Sequence, residues 1–144
     1  MSTQNFFSSG TSTTRVDYAA LILRVVGGAA MVYGHGWGKF NRFLSESNIE
    51  FMDPFGIGHG ATFFLVVFAE FICALLLTIG LFTRLAAIPL VLNMAYIAFF
   101  VHISDEFGKL ELPSMYLAMY LAVLLLGPGK FSLDRMIGKR KKTI

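Results

Sequence analysis

The sequence is short of cysteine and of charged residues, and each shortage excludes a class of protein. Its 144 residues include a single cysteine, Cys73, so one chain cannot form an internal disulfide, a CxxC redox pair or a cysteine-based zinc cluster. Charged residues make up only 15% of the chain, whereas 56% of it is hydrophobic and 15% aromatic. With a mean hydropathy of +0.66, these values indicate an integral membrane protein rather than a soluble domain.

Three hydrophobic segments approach or exceed the about 20 apolar residues that span the ~30 Å core of a bilayer, and a fourth segment is shorter. They predict an all-α bundle of four transmembrane helices within residues 16–129. A polar, flexible amino tail precedes the bundle at residues 1–15, and a basic tail follows it at 130–144. The predicted helices are 16–39, 61–82, 84–102 and 113–126, with Pro113 in the first turn of the last one.

The basic residues are distributed unequally between the two ends of these helices. Eight lie in the amino tail, the turn between helices two and three, and the carboxyl tail, and three lie around the two longer loops. Because cytoplasmic flanks carry the excess of Lys and Arg, both termini are predicted to be cytoplasmic, in a multi-pass protein of the cell membrane. The net charge of +3 then indicates contact with anionic lipid headgroups and not with nucleic acid.

Two charged residues interrupt the apolar segments at depth. Arg24 lies in helix one and Glu70 in helix two, each about 12–13 Å from a helix end by residue count. A lone charge is costly in a bilayer, so we expect the two to form a buried pair between antiparallel helices. The pair is interpreted either as a structural ion pair, with a snorkelling arginine as its variant, or as the lining of a ligand or proton path.

A second polar group is predicted near the outer surface, at the non-cytoplasmic ends of the helices. His35 and Lys39 close helix one, His102 closes helix three and Glu111 precedes helix four. Such a mouth suits a quinone headgroup, whose carbonyls need donors that also supply protons. The alternative is that these side chains only face water and lipid heads. Haem ligation by two histidines is disfavoured, and no metal or nucleotide motif is found.

The order of these residues resembles the DoxX family of small four-helix membrane proteins. The likeness runs through three stretches, LRVVGGAAMVYGHGWGKF, EFICALLLTIGLFTRLAAIPLVLNMAYIAFFVH and GPGKFSLDRM. The family's recurring polar or turn positions are matched by Arg24, His35, Lys39, Glu70, Gly80, Thr83, Arg84, His102, Glu111 and Asp134. Some relatives are implicated in quinone-linked oxidation of sulfur compounds, others in oxidative-stress or thiol-redox complexes.

The resemblance therefore implies a quinone-interacting or redox-associated subunit of a membrane oxidoreductase system. The alternatives are a non-catalytic membrane scaffold and a carrier of small molecules or ions. Catalytic triads, metal clusters and nucleotide motifs are missing from the sequence, which disfavours a self-contained enzyme. We expect a protein partner or a second copy of the chain, because a single cysteine cannot carry out thiol exchange alone.

Overall fold

A computed structural model describes residues 13–140, so residues 1–12 of the predicted amino tail and the last four residues lie outside it. Four long helices are confirmed, each apolar and long enough to cross a membrane. We number these α1 (Thr13–Ser45), α2 (His59–Ile79), α3 (Thr83–Val101) and α4 (Phe107–Leu126). A short helix, α5 (Leu133–Arg140), follows them.

The helices are arranged in a ring in which consecutive helices are neighbours and α4 returns to α1. Consecutive helices are antiparallel neighbours, as expected for an up-down-up-down bundle, and the α1–α2 connection at 46–58 is the longest of the three. The loops at 46–58 and 102–106 lie at one end of the bundle, which we call the loop face. The α2–α3 turn and both ends of the described chain lie at the other end, the terminal face.

Two helices begin or end away from the positions that hydropathy predicts. α1 continues to Ser45, and at about 1.5 Å per residue its 33 residues are longer than the bilayer core is thick. α4 begins at Phe107, so Pro113 lies inside the helix and not in its first turn. Both differences extend helix at the loop face, where the added turns carry polar side chains that the hydropathy of a span does not count.

Three of the four long helices contain a π-helical segment. The segments are Val32–Gly36 in α1, Phe68–Cys73 in α2 and Ile97–Val101 in α3. A π segment inserts an extra residue into a turn and is frequently found at functional sites. His35 and Glu70 lie within two of these segments, and His102 directly follows the third.

Glycines allow α1 and α2 to approach closely at two levels. A Cβ on Gly28 would lie 2.8 Å from the Ala74 carbonyl oxygen, and one on Gly36 would overlap the Glu70 carbonyl and lie 3.0 Å from Phe71 Cα. Small residues are the usual means of bringing membrane helices together, because hydrophobic burial gives little net attraction in lipid. The contact at Gly36 brings α1 directly against the backbone of Glu70.

The segment that follows α4 closes the terminal face. Asp134 accepts hydrogen bonds from the backbone N–H groups of Phe82 (2.7 Å) and Thr83 (2.9 Å) and from the Thr83 hydroxyl (2.8 Å). These bonds cap the start of α3, whose first N–H groups have no partner within the helix. Nearby, Asp17 of α1 accepts from the backbone N–H of Lys130 at 3.0 Å.

Candidate functional site

The centre of the loop-face half holds a cluster of three polar side chains, Lys39, Glu70 and Asn93. Glu70 is 1% exposed; its Oε2 accepts a charge-assisted hydrogen bond from Lys39 Nζ, and its Oε1 accepts from Asn93 Nδ2 at 3.0 Å. Each side chain comes from a different helix. A buried carboxylate in a membrane needs such donors, since leaving it unpaired would cost several kcal/mol.

Local backbone geometry explains how the polar cluster forms. Glu70 lies in the π segment of α2, and the missing side chain of Gly36 lets α1 lie against the Glu70 carbonyl. Lys39 follows Gly36 by about one helical turn, so its side chain projects from the same face of α1 toward the carboxylate. Its side chain keeps 30% exposure, as expected for a long chain that reaches from the loop face.

The polar cluster forms one wall of an apolar cavity of about 540 Å³, which we call the lipid-side cavity. Loop residues 51–55 cover its loop-face end, where Phe55 packs on Tyr96 with ring centroids 5.6 Å apart. Leu65, Phe68 and Leu92 line the cavity and are also 50%, 39% and 65% exposed on the lipid-facing surface. The cavity therefore lies open to the membrane between α2 and α3.

A second cavity of about 350 Å³ lies on the other side of the polar cluster, and we call it the loop-side cavity. Lys39, Glu70, Ile97 and His102 line both cavities. The remaining wall of the loop-side cavity is formed by Met31 and His35 of α1, Met94 of α3, and Gly108, Lys109, Leu112, Pro113 and Tyr116 of α4. His35 packs edge-on against Tyr116 with ring centroids 6.0 Å apart.

The predicted mouth is assembled in part. His35, Lys39 and His102 all line the loop-side cavity, and Lys39 and His102 also line the lipid-side cavity. Glu111 is exposed, and it is not among the residues that line either cavity. Because α4 begins at Phe107, Glu111 lies within a regular helix on its exposed side, and the carboxylate in the cavities is that of Glu70.

The structure gives Arg24 and Glu70 separate partners. Arg24 is 2% exposed and donates to two backbone carbonyls, that of Thr78 at 2.8 Å and that of Phe131. Thr78 lies eight residues beyond Glu70 on α2, a rise of about 12 Å toward the terminal face. Within the described residues, Glu70 is paired with Lys39 and Asn93, whereas Arg24 is bonded to α2 at Thr78 and to the closing segment at Phe131.

At the rim, His102 is held by an acidic residue of its own loop. His102 Nδ1 lies 2.7 Å from Asp105 Oδ2, and Lys109 Nζ lies 3.8 Å from the same oxygen. The hydrogen bond with His102 is the main cause that lowers the pKa of Asp105 below its ordinary value, against a smaller opposing effect of desolvation, and Lys109 lowers it further. Asp105 is therefore ionised at neutral pH and holds the His102 ring at the rim through this hydrogen bond.

The loop over the lipid-side cavity is fixed by Asp53. Its carboxylate accepts from the backbone N–H groups of Ile57 (3.0 Å) and Gly58 (2.7 Å) and from the Thr62 hydroxyl (3.0 Å). Desolvation raises the pKa of Asp53, but these hydrogen bonds together lower it below the ordinary value. The loop is thereby tied to the first turn of α2.

Asn93, Tyr116 and Asp53 are parts of the site that the predicted site set omits. Asn93 had one sequence signal, a lone amide in an apolar span, and polar residues at depth face the bundle interior. Tyr116 had none, because an aromatic residue in a transmembrane helix is ordinary packing. Among the described residues, no group of three or more His, Cys, Asp or Glu side chains is placed to hold a metal ion.

Comparison with known proteins identifies the family. The DoxX family model matches residues 19–103, which is more than half of the chain. The chain belongs to the DoxX family. The match covers α2 entirely and all but the first turns of α1, and it includes Lys39, Glu70 and Asn93 of the polar cluster. It ends before α4.

Two relatives resemble the DoxX chain over most of their lengths. The uncharacterized membrane protein Rv3486 of Mycobacterium tuberculosis (strain ATCC 25618 / H37Rv) is 33% identical over 123 residues, covering 68% of this chain and 76% of the relative. An uncharacterized protein of Haemophilus influenzae (strain ATCC 51907 / DSM 11121 / KW20 / Rd) is 32% identical over 134 residues, covering 85% and 93%. No solved structure gives a significant match.

Proposed function

We propose that this DoxX protein binds a quinone in the lipid-side cavity and acts as the quinone-interacting, redox-associated subunit of a membrane oxidoreductase system. The observation that carries the proposal is the polar cluster in the wall of an apolar cavity that opens to lipid. A quinone is an apolar molecule with two carbonyl oxygens at one end, and its natural solvent is the hydrocarbon of the membrane. The cavity volume of about 540 Å³ lies within the usual range for small-molecule sites.

The polar cluster offers the chemistry that a quinone headgroup needs. The Lys39 ammonium and the Asn93 amide are hydrogen-bond donors for carbonyl oxygens, and both already point at Glu70. The Glu70 carboxyl group accepts or donates a proton according to its ionisation. His102 lines the same cavity, and its imidazole is a further hydrogen-bonding group there. A bound quinone would supply the two-electron chemistry that these side chains lack.

In this proposal, Glu70 is the carboxylate that serves the quinone headgroup and its protons, a role that the sequence suggested for Glu111. It keeps Lys39 and His102 as headgroup residues and leaves His35 to the neighbouring cavity. The electron donor is assigned to a partner subunit, because Cys73 is buried at 2% exposure and is the chain's single cysteine. The excess of basic residues at the terminal face supports a cytoplasmic position for that face.

The test is to purify the full chain in mild detergent and measure quinone per protein by mass spectrometry and by the ultraviolet redox difference. Asn93→Leu keeps the branched shape of the side chain but removes a donor, and an unpaired carbonyl costs about 1–3 kcal/mol. We expect it to retain about tenfold less quinone than the wild type. Val66→Trp places a large side chain in the apolar part of the lipid-side cavity, which Val66 lines, and is expected to exclude the quinone.

Glu111→Gln is the matched control. Its side chain is exposed and outside the residues lining both cavities, so this variant should retain quinone at the wild-type level. Circular dichroism and gel filtration establish that each variant is folded. Absence of quinone from the wild type, or equal retention by Asn93→Leu, Val66→Trp and Glu111→Gln, would contradict the proposal and favour a scaffold.

A further inference from the structure

The loop-side cavity differs in character from the lipid-side cavity, although both reach Glu70. Its wall carries His35, Lys109 and Tyr116 in addition to the shared Lys39 and His102. Lys109 is 65% exposed and lies in the first turn of α4, at the loop face. The cavity therefore begins among charged side chains at the membrane surface and ends at a carboxylate that is 1% exposed.

Side chains of α1 and α4 form a continuous wall between these two ends. Gly108, Leu112 and Tyr116 follow one another at intervals of four residues on α4, and Met31, His35 and Lys39 do so on α1. Residues four apart lie on one face of a helix, so each helix presents one lengthwise stripe to the cavity. A Cβ on Gly108 would meet nothing within 4 Å, which leaves the rim open at that point.

We infer that the loop-side cavity is an aqueous route by which Glu70 exchanges protons with the solution at the loop face, while the lipid-side cavity admits the apolar ligand. Ionisable residues within a membrane are tolerated where they face a water-filled cavity. The exchange is a simple proton transfer: a neutral Glu70 carboxyl group gives its proton to water and becomes a carboxylate, or the reverse. This inference rests on the proposed function only for the identity of the ligand that receives or supplies the protons.

The titratable groups that line the loop-side cavity together with Glu70 come from two helices and one loop. Lys39 and His35 belong to α1, His102 follows α3, and Lys109 and Tyr116 belong to α4. His102 is held by Asp105 at 2.7 Å. These groups place polar atoms along a wall that is otherwise mostly apolar, and Lys39 lies beside the Glu70 carboxylate.

Access from one side of the membrane can be measured without any ligand by placing a cysteine in the route. The background is Cys73→Ala, and the variant is His35→Cys, which puts a thiol in the wall of the loop-side cavity. The reagent is a membrane-impermeant quaternary-ammonium methanethiosulfonate, applied to right-side-out and to inverted membrane vesicles, with labelling followed by mass spectrometry. Ser47→Cys marks the loop face and Gly138→Cys marks the terminal face.

Tyr33→Cys is the matched control, since Tyr33 lies two residues from His35 on the same helix and is 90% exposed on the outer surface of the bundle. We expect His35→Cys to be labelled from the same side as Ser47→Cys and at least about tenfold faster than Tyr33→Cys. Tyr116→Cys, on the opposite wall, replaces His35→Cys if that variant does not fold. Labelling at the Tyr33→Cys rate, or only from the side of Gly138→Cys, would overturn the inference.

A bulky side chain at the rim tests whether the reagent enters by this route. Gly108→Trp, added to His35→Cys, is expected to slow labelling at least about fivefold and to leave Ser47→Cys unaffected. Unchanged labelling would mean that the reagent enters elsewhere and would also overturn the inference. Because no quinone takes part, this result is independent of the quinone-retention result, so a failure of the route and a failure of the proposed function are distinguishable.

Discussion

Glu70 is the residue on which the site depends, and its environment explains why it tolerates burial. Lys39 gives it an opposite charge and Asn93 a neutral donor, so each carboxylate oxygen has a partner. Such a pair contributes little net stability to the fold. Removing one partner is nevertheless costly, because the remaining charge is then buried without compensation.

Lys39→Met is therefore expected to destabilise the fold by about 3 kcal/mol. Breaking a buried ion pair costs about 3–5 kcal/mol, and this value is at the lower end of that range. The lower end applies because the Lys39 side chain keeps 30% exposure and its charge is partly screened. The double variant Lys39→Met/Glu70→Gln should recover most of that loss, since no charge is left unpaired. Thermal unfolding in detergent measures both.

Lys109→Met is the control for this prediction. Its ammonium lies 3.8 Å from Asp105 and the side chain is 65% exposed, so its removal should cost less than about 1 kcal/mol. Equal losses for Lys39→Met and Lys109→Met, or a double variant less stable than Lys39→Met alone, would show that Lys39 does not compensate the buried charge of Glu70.

At the scale of elements, the α1–α2 contact decides where the polar cluster forms. Gly36 lets the backbone of α1 touch that of α2 at Glu70. Gly34 and Gly38 have the GxxxG spacing that marks helix contacts in membranes, yet a Cβ on either would meet nothing within 4 Å. The contact is made instead through Gly28 and Gly36, which are eight residues apart.

Gly36→Ala is expected to destabilise the bundle by about 1–3 kcal/mol, because the added methyl group would overlap backbone atoms that cannot move aside independently. It should also separate Lys39 from Glu70. Gly34→Ala is the matched change two residues away, and it should be neutral or slightly stabilising. Thermal unfolding in detergent distinguishes them, and an equal effect of the two substitutions would show that α1 and α2 are not in contact at Gly36.

Much of the element level could be predicted from the sequence, because a bilayer sets the length of an apolar span. The four helices and their order are confirmed on that basis. The partner of Glu70 could not be predicted, since residue counting gives depth along a helix but not the rotation of the helix. The π segments at His35 and Glu70 change that rotation locally, and a uniform 3.6-residue period does not include them.

The start of α4 is a second feature that the sequence pattern did not predict. Proline is common in the first turn of a helix, which made Pro113 a natural first residue. The structure starts the helix at Phe107 instead, so Leu110 and Glu111 lie inside it. Hydropathy does not assign these turns to the span, because they carry the charged side chains of Lys109 and Glu111.

At the scale of the whole molecule, the segment after α4 joins the two ends of the described chain. Asp134 caps α3, and the carbonyl of Phe131 accepts from Arg24, 107 residues earlier in the chain. Two of the three Arg24 guanidinium nitrogens thereby have backbone carbonyl partners, which stabilise a guanidinium that is 2% exposed in an apolar bundle.

Asp134→Ala removes three hydrogen bonds at the start of α3 and should cost about 1–2 kcal/mol, the usual loss for a helix N-cap. The closing segment should also become accessible, so trypsin should cleave after Lys130 faster than in the wild type. Arg135→Ala is the control, because its side chain is exposed and its backbone N–H keeps the bond to Ser132 Oγ at 3.2 Å. Equal cleavage after Lys130 in the two variants would contradict a clamp centred on Asp134.

The contact between Arg24 and the Phe131 carbonyl also constrains how the chain is made. A nascent chain exposes α1 first, and one acceptor of Arg24 is not synthesised until after α4. While three more helices are inserted, Arg24 must therefore be paired temporarily with water, lipid phosphate or a helper protein. The bundle is therefore completed only after Phe131 has been synthesised, and a chain truncated before Phe131 would leave Arg24 without one of its two acceptors.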